Sequence, residues 1–183
     1  MTQQLPRTLC PVLGFAAFSG TGKTTLLRQL IPLLCEAGIH IGLIKHAHHE
    51  FDIDQPGKDS YELRKAGAEQ VLVASSQRWA LMVETPNQPE AQLDEFVSRL
   101  AQTALDLILV EGFRHVPFTK IELHRPALGH PLLCTEDNSI IAVASDAPLV
   151  LPRDLPRLDL NNPADIARFI QTGILDQATT VSA

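Results

Sequence analysis

No apolar run in this sequence approaches the roughly 18 residues that a membrane-spanning helix needs, so a helical membrane protein is not expected. Lysine is scarce. There are five, and four of them (Lys23, Lys45, Lys58 and Lys65) fall within the first 65 residues. Fifteen basic residues stand against 21 acidic ones, giving a net charge of -6. Binding to nucleic acid or to an anionic membrane surface through bulk charge is therefore not expected. A local cationic site in an acidic protein suits a small anionic ligand instead. Cysteine is also sparse. Cys10, Cys35 and Cys134 show no CxxC pairing, and buried free thiols of a reducing compartment are the expectation. The opening stretch MTQQLPRTLCPVLGF has one arginine and no apolar core of signal-peptide type, which points to the cytoplasm. There is no internal repeat and no low-complexity linker, so residues 1–183 are expected to form a single nucleotide-binding domain.

What is present is an alternation of strands and helices. CPVLGFAAF is short and apolar, like a buried parallel strand. TTLLRQLIPLLCEAG places Leu26, Leu27, Leu30, Ile31 and Leu34 on one helical face, with Gly38 as the stop. IHIGLIKH is a second strand, KDSYELRKAGA a short helix, and EQVLVAS with RWALMVET a hairpin. PEAQLDEFVSRLAQ is an amphipathic helix, LDLILVEGF a buried strand, TKIELHR a shorter strand with alternation, and SIIAVASD the last clear core strand. The proline-rich DAPLVLPRDLPRLDLNNP reads as irregular. Asn162 and Pro163 then cap a final helix, ADIARFIQTG. The expected fold class is α/β: P-loop NTPase-like, with a mostly parallel sheet, helices on both faces and some antiparallel strands.

The stretch LGFAAFSGTGKTTLL carries the chemistry. Its window Ala17-Phe18-Ser19-Gly20-Thr21-Gly22-Lys23-Thr24 fits G-x-x-x-x-G-K-[ST] except that Ala17 replaces the first glycine. Gly20 and Gly22 let backbone N–H groups turn inward around phosphate, and the helix start at Lys23, Thr24 and Thr25 adds partial positive charge. Lys23 would reach the β- and γ-phosphates, and the Thr24 hydroxyl would ligate Mg²⁺. A ligand-free turn does not explain a lysine set directly before two threonines at a helix start. Downstream, LILVEG ends an apolar strand in Glu111, which would hold the Mg²⁺ shell or orient a water; the alternative is an ordinary carboxylate at a strand end.

Two further features concern substrate. Asp146 ends SIIAVASD where guanine-binding P-loop proteins carry N/T-K-x-D, although the lysine is missing and the residues are Ala144-Ser145-Asp146. A carboxylate there would accept from N1–H and the N2 amine of guanine, which adenine lacks; a polar residue that caps the strand is the other reading. Between residues 45 and 68, KHAHHEFDIDQPGKDSYELRKAGA packs histidines, acids and lysines around Pro56-Gly57. His46, His48 and His49 suit a transition metal. Asp52 or Asp54 near Mg²⁺ with Lys58 near phosphate suits a switch-like loop. Lys45, His46, Lys58 and Arg64 suit a second anionic substrate.

Together FSGTGKTTL, KHAHHEFDIDQPGKDSYELRKAGA, LILVEGFR, TKIEL and SIIAVASD resemble the molybdopterin-guanine dinucleotide biosynthesis adaptor family, MobB, over most of the chain. The middle segment is the specific part. The resemblance implies a P-loop GTP-binding protein with at most slow GTPase activity, using GTP and Mg²⁺. It implies a homodimer acting beside the guanylyltransferase that joins GMP to molybdopterin, with contact to a pterin phosphate. Metallochaperone GTPases belong to the same broader group, and some of its members carry a second lysine where Phe18 stands here. A metallochaperone GTPase and a small-molecule kinase are the competing functions; no arginine-rich lid supports the kinase.

Overall fold

The computed structural model describes residues 8–47, 51–88, 90–100 and 102–176. Contacts divide the chain into two compact units, residues 1–46 with 92–183, and residues 47–91.

The first unit is built on six parallel strands: β1 (Val12–Ala16), β2 (Ile41–Lys45), β5 (Leu107–Glu111), β6 (Lys120–His124), β7 (Ile140–Ser145) and β8 (Arg157–Asp159). Their order is β2-β5-β1-β6-β7-β8. Strand β1 therefore sits between β5 and β6, with Phe15 in register with Glu111 on one side and Ile121 on the other. This register brings the ends of β1, β5 and β6 to one edge, where ligands bind in open α/β sheets.

One face is covered by α1 (Lys23–Glu36) and α4 (Pro163–Ile170). The 3.6-residue spacing puts Leu26, Leu27, Leu30 and Leu34 inward, against Leu13, Phe15, Leu109 and Ile166. Leu30 and Leu34 are fully buried, and each stabilises the fold by about 1.5–3 kcal/mol. Asn162 caps α4, its side chain accepting from the Asp165 N–H, with Pro163 in the first turn. Helix α3 (Leu93–Arg99) serves the other face: Leu93 and Val97 are buried, and the Leu100 side chain lies over Gly42 beside Ile108.

Three findings differ from the sequence expectation. The alternation of TKIELHR marks no exposed face, because all five residues of β6 are buried. Fully buried Lys120 donates to the Val116 carbonyl at 2.5 Å and pairs with Asp137 at 2.9 Å. Glu122 accepts from the Leu133 and Cys134 N–H groups at 2.7 and 2.8 Å. These charges are satisfied locally and tie two loops to the strand. Lys120→Ala is expected to destabilise the chain by about 2–4 kcal/mol, because it opens a cavity and strips a partner from Asp137; chemical denaturation measures it. Next, the proline-rich segment contains β8, a three-residue edge strand, too short to register as periodic. Finally, Cys35 is exposed on the outer side of α1, next to inward-facing Leu34, whereas Cys10 and Cys134 are buried and all three are free. Burial, with the Glu122 carboxylate adding to it, pushes the Cys134 thiol up to about 11.

The second unit holds α2 (Asp59–Lys65) and an antiparallel pair, β3 (Gln70–Ala74) and β4 (Trp79–Val83). Arg64 holds it together. Its guanidinium meets Asp52 at 2.5 Å and Glu84 at 2.8 Å, so it is committed to internal pairing. Leu72 faces Leu81 across the ladder, and both are exposed, as is Trp79 opposite Ala74.

Candidate functional site: a phosphate loop with a carboxylate beside it

The loop between β1 and α1 begins with Ala17, 7% exposed. Among the described residues, Phe113 is the only non-glycine at positive φ, so Ala17 sits in a conformation open to alanine and the missing first glycine costs nothing. Gly20 and Gly22 do require glycine, at φ 79° and 102°. Gly22 caps α1 with no side-chain partner, and no acid lies in the first turn. The first N–H groups of the helix thus remain for an anion. Buried Thr21 donates from its hydroxyl to the Phe18 carbonyl at 3.0 Å and pins the loop to itself. Ser19, Gly20 and Thr25 lie exposed around it.

Lys23 folds back over the loop. Its Nζ donates to the Ala17 and Phe18 carbonyls, each at 3.1 Å. Burial lowers its pKa, and the Glu111 charge partly opposes that. Thr24 donates from Oγ1 to Glu111 Oε1 at 3.0 Å, and Lys45 Nζ pairs with Glu111 Oε2 at 3.2 Å. Thr24 and Glu111 thus stand in contact although 87 residues separate them in sequence. Hard oxygens from a hydroxyl and a largely buried carboxylate are the donor set that Mg²⁺ favours, so this corner fits that ion.

The turn after Glu111 is tightly constrained. Gly112 has φ 103°, and a Cβ on it would stand 2.6 Å from the His46 Cβ. Phe113 follows at φ 52° and stacks on the His46 ring at 4.4 Å. Such paired departures gather at functional turns.

Several side chains beside the loop were not singled out from sequence. Arg114 lies over the Phe18 ring, 5.1 Å from its centroid, and His130 stacks on Phe18 at 4.4 Å. Phe18, Arg114, His115, Leu132 and Thr135 line a cavity of about 450 Å³. Arg125 donates to the Thr21 carbonyl at 2.9 Å and to Asp146 at 2.6 Å. Position at the C-terminal end of a strand was the available signal for Arg114 and Arg125. Asp146 thus joins the loop through Arg125.

Asp54 belongs to the second unit, where its Oδ1 accepts from the Gln55 N–H at 3.0 Å. His48 and His49 lie outside the described residues, and among the described residues no group of three or more His, Cys, Asp or Glu is arranged to hold a metal. No helix among the described residues is long and apolar enough to cross a membrane.

A parallel sheet, a glycine loop leading into a helix, and an acid on the adjacent strand define a P-loop α/β protein. The particular family follows from comparison. The family model for Molybdopterin guanine dinucleotide synthesis protein B, MobB, matches residues 12–146. The chain is 57% identical over 165 residues to the molybdopterin-guanine dinucleotide biosynthesis adapter protein of Escherichia coli, covering 90% of this chain and 93% of that protein. It is 44% identical to the adapter protein of the same name from Haemophilus influenzae, covering 88% of each chain. A crystal structure of molybdopterin-guanine biosynthesis protein B superposes with a TM-score of 0.69 at 23% identity, over 89% of this chain and 99% of that one, which shows the shared fold. The chain belongs to the MobB family.

Proposed function

We propose that this protein is a cytoplasmic GTP-binding adapter of molybdenum cofactor maturation, with weak intrinsic GTPase activity. The observation that carries the nucleotide part is the arrangement of Lys23, Thr24 and Glu111 on the phosphate loop. The adapter role follows from the names of the relatives. Ser19 to Thr25 would hold the triphosphate, through backbone N–H groups at the start of α1. Lys23 leaves the Ala17 and Phe18 carbonyls to meet the β- and γ-phosphate oxygens, exchanging neutral acceptors for charged ones. Thr24 and Glu111 would supply oxygens for Mg²⁺. The ion, when bound, neutralises charge on the phosphate oxygens. Asp146 selects guanine. Slow hydrolysis is expected because the sequence names no water-orienting glutamine and no internal arginine finger. The whole chain works as one nucleotide-binding domain.

The partners are the guanylyltransferase that joins GMP to molybdopterin and a second copy of this chain. Support for the second copy comes from the exposed Leu72, Leu81 and Trp79 on one face of the β3–β4 pair, since a lone two-stranded ribbon is marginally stable. Leu81→Glu is expected to halve the mass seen by analytical ultracentrifugation while far-ultraviolet circular dichroism stays constant. The cavity beside Phe18, with Arg114 and His115 in its lining, suits a pterin phosphate.

Size-exclusion chromatography of the protein mixed with the purified guanylyltransferase, with and without GTP, tests the adapter role. Co-elution and faster guanylylation of molybdopterin are the expected results. No complex and no effect on the transfer would refute it.

A further inference from the structure

Asp146 lacks the lysine that accompanies a guanine-reading carboxylate in sequence, since Ala144 and Ser145 precede it. A cation reaches it nonetheless, from the neighbouring strand. Arg125 follows β6 by one residue, and β6 lies between β1 and β7 in the sheet. A side chain at that strand end can reach the loop after β1 and the turn after β7 together. Arg125 does both. Its Nη1 donates to Asp146 Oδ2 at 2.6 Å, and its Nε donates to the Thr21 carbonyl at 2.9 Å. Its Nη2 lies 3.8 Å from where a Cβ on Gly22 would stand. The Arg125 side chain is 33% exposed and that of Asp146 23%, so the pair is open to a ligand.

We propose that Arg125 is a positioning residue for base selection: it aims the Asp146 carboxylate and ties it to the phosphate loop, coupling guanine recognition to triphosphate binding. The inference rests on Asp146 being the guanine acceptor. With one lone pair of Oδ2 taken by Arg125, Oδ1 and the second lone pair of Oδ2 remain for N1–H and the N2 amine. ATP presents no such donor pair and gains only from the hold on Thr21. Removing Arg125 therefore affects the two nucleotides unequally. A lysine has no planar fork with which to engage both partners in this geometry, so it replaces Arg125 only in part.

The test is isothermal titration with GTP, ATP and inorganic tripolyphosphate in Mg²⁺. The proteins are the unmodified chain, Arg125→Ala, Arg125→Lys, Asp146→Ala and the Arg125→Ala/Asp146→Ala double variant. Losing an aimed charged acceptor is expected to lower the preference for GTP over ATP about tenfold in Arg125→Ala. Tripolyphosphate affinity falls less than GTP affinity. The double variant shows no smaller preference than Asp146→Ala alone, and Arg125→Lys lies between the extremes. If Asp146→Ala erases the preference and Arg125→Ala leaves it intact, Arg125 has no part in base selection, although the guanine assignment stands. Equal losses for GTP, ATP and tripolyphosphate in Arg125→Ala would overturn the proposal as well, leaving a loop scaffold. If the unmodified chain shows no preference, the guanine assignment falls and the proposal falls with it. Thermal unfolding identifies a variant that fails to fold. Should Arg125→Ala do so, an unchanged GTP preference in Arg125→Lys overturns the coupling.

Discussion

Lys23→Ala is expected to weaken nucleotide binding beyond ready detection and to leave the chain folded. Within the fold Lys23 donates two hydrogen bonds, to the Ala17 and Phe18 carbonyls. Both bonds are part-buried and neutral at the acceptor, so losing them costs the fold about 1 kcal/mol each. With triphosphate present, the same ammonium faces the highest negative charge in the site. Losing charge-assisted contacts to two phosphates is expected to weaken GTP binding by at least about a hundredfold. Isothermal titration reads the affinity, and a thermal melt of the ligand-free variant reads the fold. Near-normal GTP affinity in Lys23→Ala would place the triphosphate elsewhere. A collapse of the ligand-free fold would make the lysine a structural residue first.

Gly112→Val has the largest expected effect on folding. The position fails valine twice. Its φ of 103° lies where an L side chain is strained, and the added Cβ would meet the His46 Cβ at 2.6 Å. Neither side can yield cheaply, because His46 stacks on Phe113 and its N–H donates to the Glu111 carbonyl at 2.8 Å. The expected destabilisation is about 3–5 kcal/mol, from overpacking and backbone strain together. Because Glu111 is the preceding residue, whatever folded protein remains should also bind Mg²⁺-nucleotide poorly. A urea melt gives the stability, and a shift below about 1 kcal/mol would show that the turn relaxes freely.

The phosphate loop was legible in sequence because its chemistry is local. Strand, glycines, lysine and helix follow one another within 20 residues, and each residue type has one physical task there. Glu111 stood out for a related reason: a run of four buried aliphatics ends in an acid, which marks the strand and where it stops. The polar row of β6 was not. Lys120, Glu122 and His124 alternate with Ile121 and Leu123 as in a half-exposed strand, yet the charges are buried and satisfied by Val116, Asp137, Leu133 and Cys134. Alternation reports that two faces differ; it does not say that one of them is wet. Arg125 escaped notice because its partners lie 104 and 21 residues away and meet it only through the order of β1, β6 and β7. The positive φ of Phe113 has no sequence signal at all, since the residue type argues against it.

The central claim is that this loop holds GTP in preference to ATP. Titration of the unmodified protein with each nucleotide in Mg²⁺ tests it most directly. Tighter binding of GTP, by about tenfold or more for an aimed carboxylate that accepts from two guanine donors, is the predicted result. Equal affinity, or tighter binding of ATP, would contradict it and return a phosphoryl-transfer enzyme with the cavity beside Phe18 as its acceptor pocket.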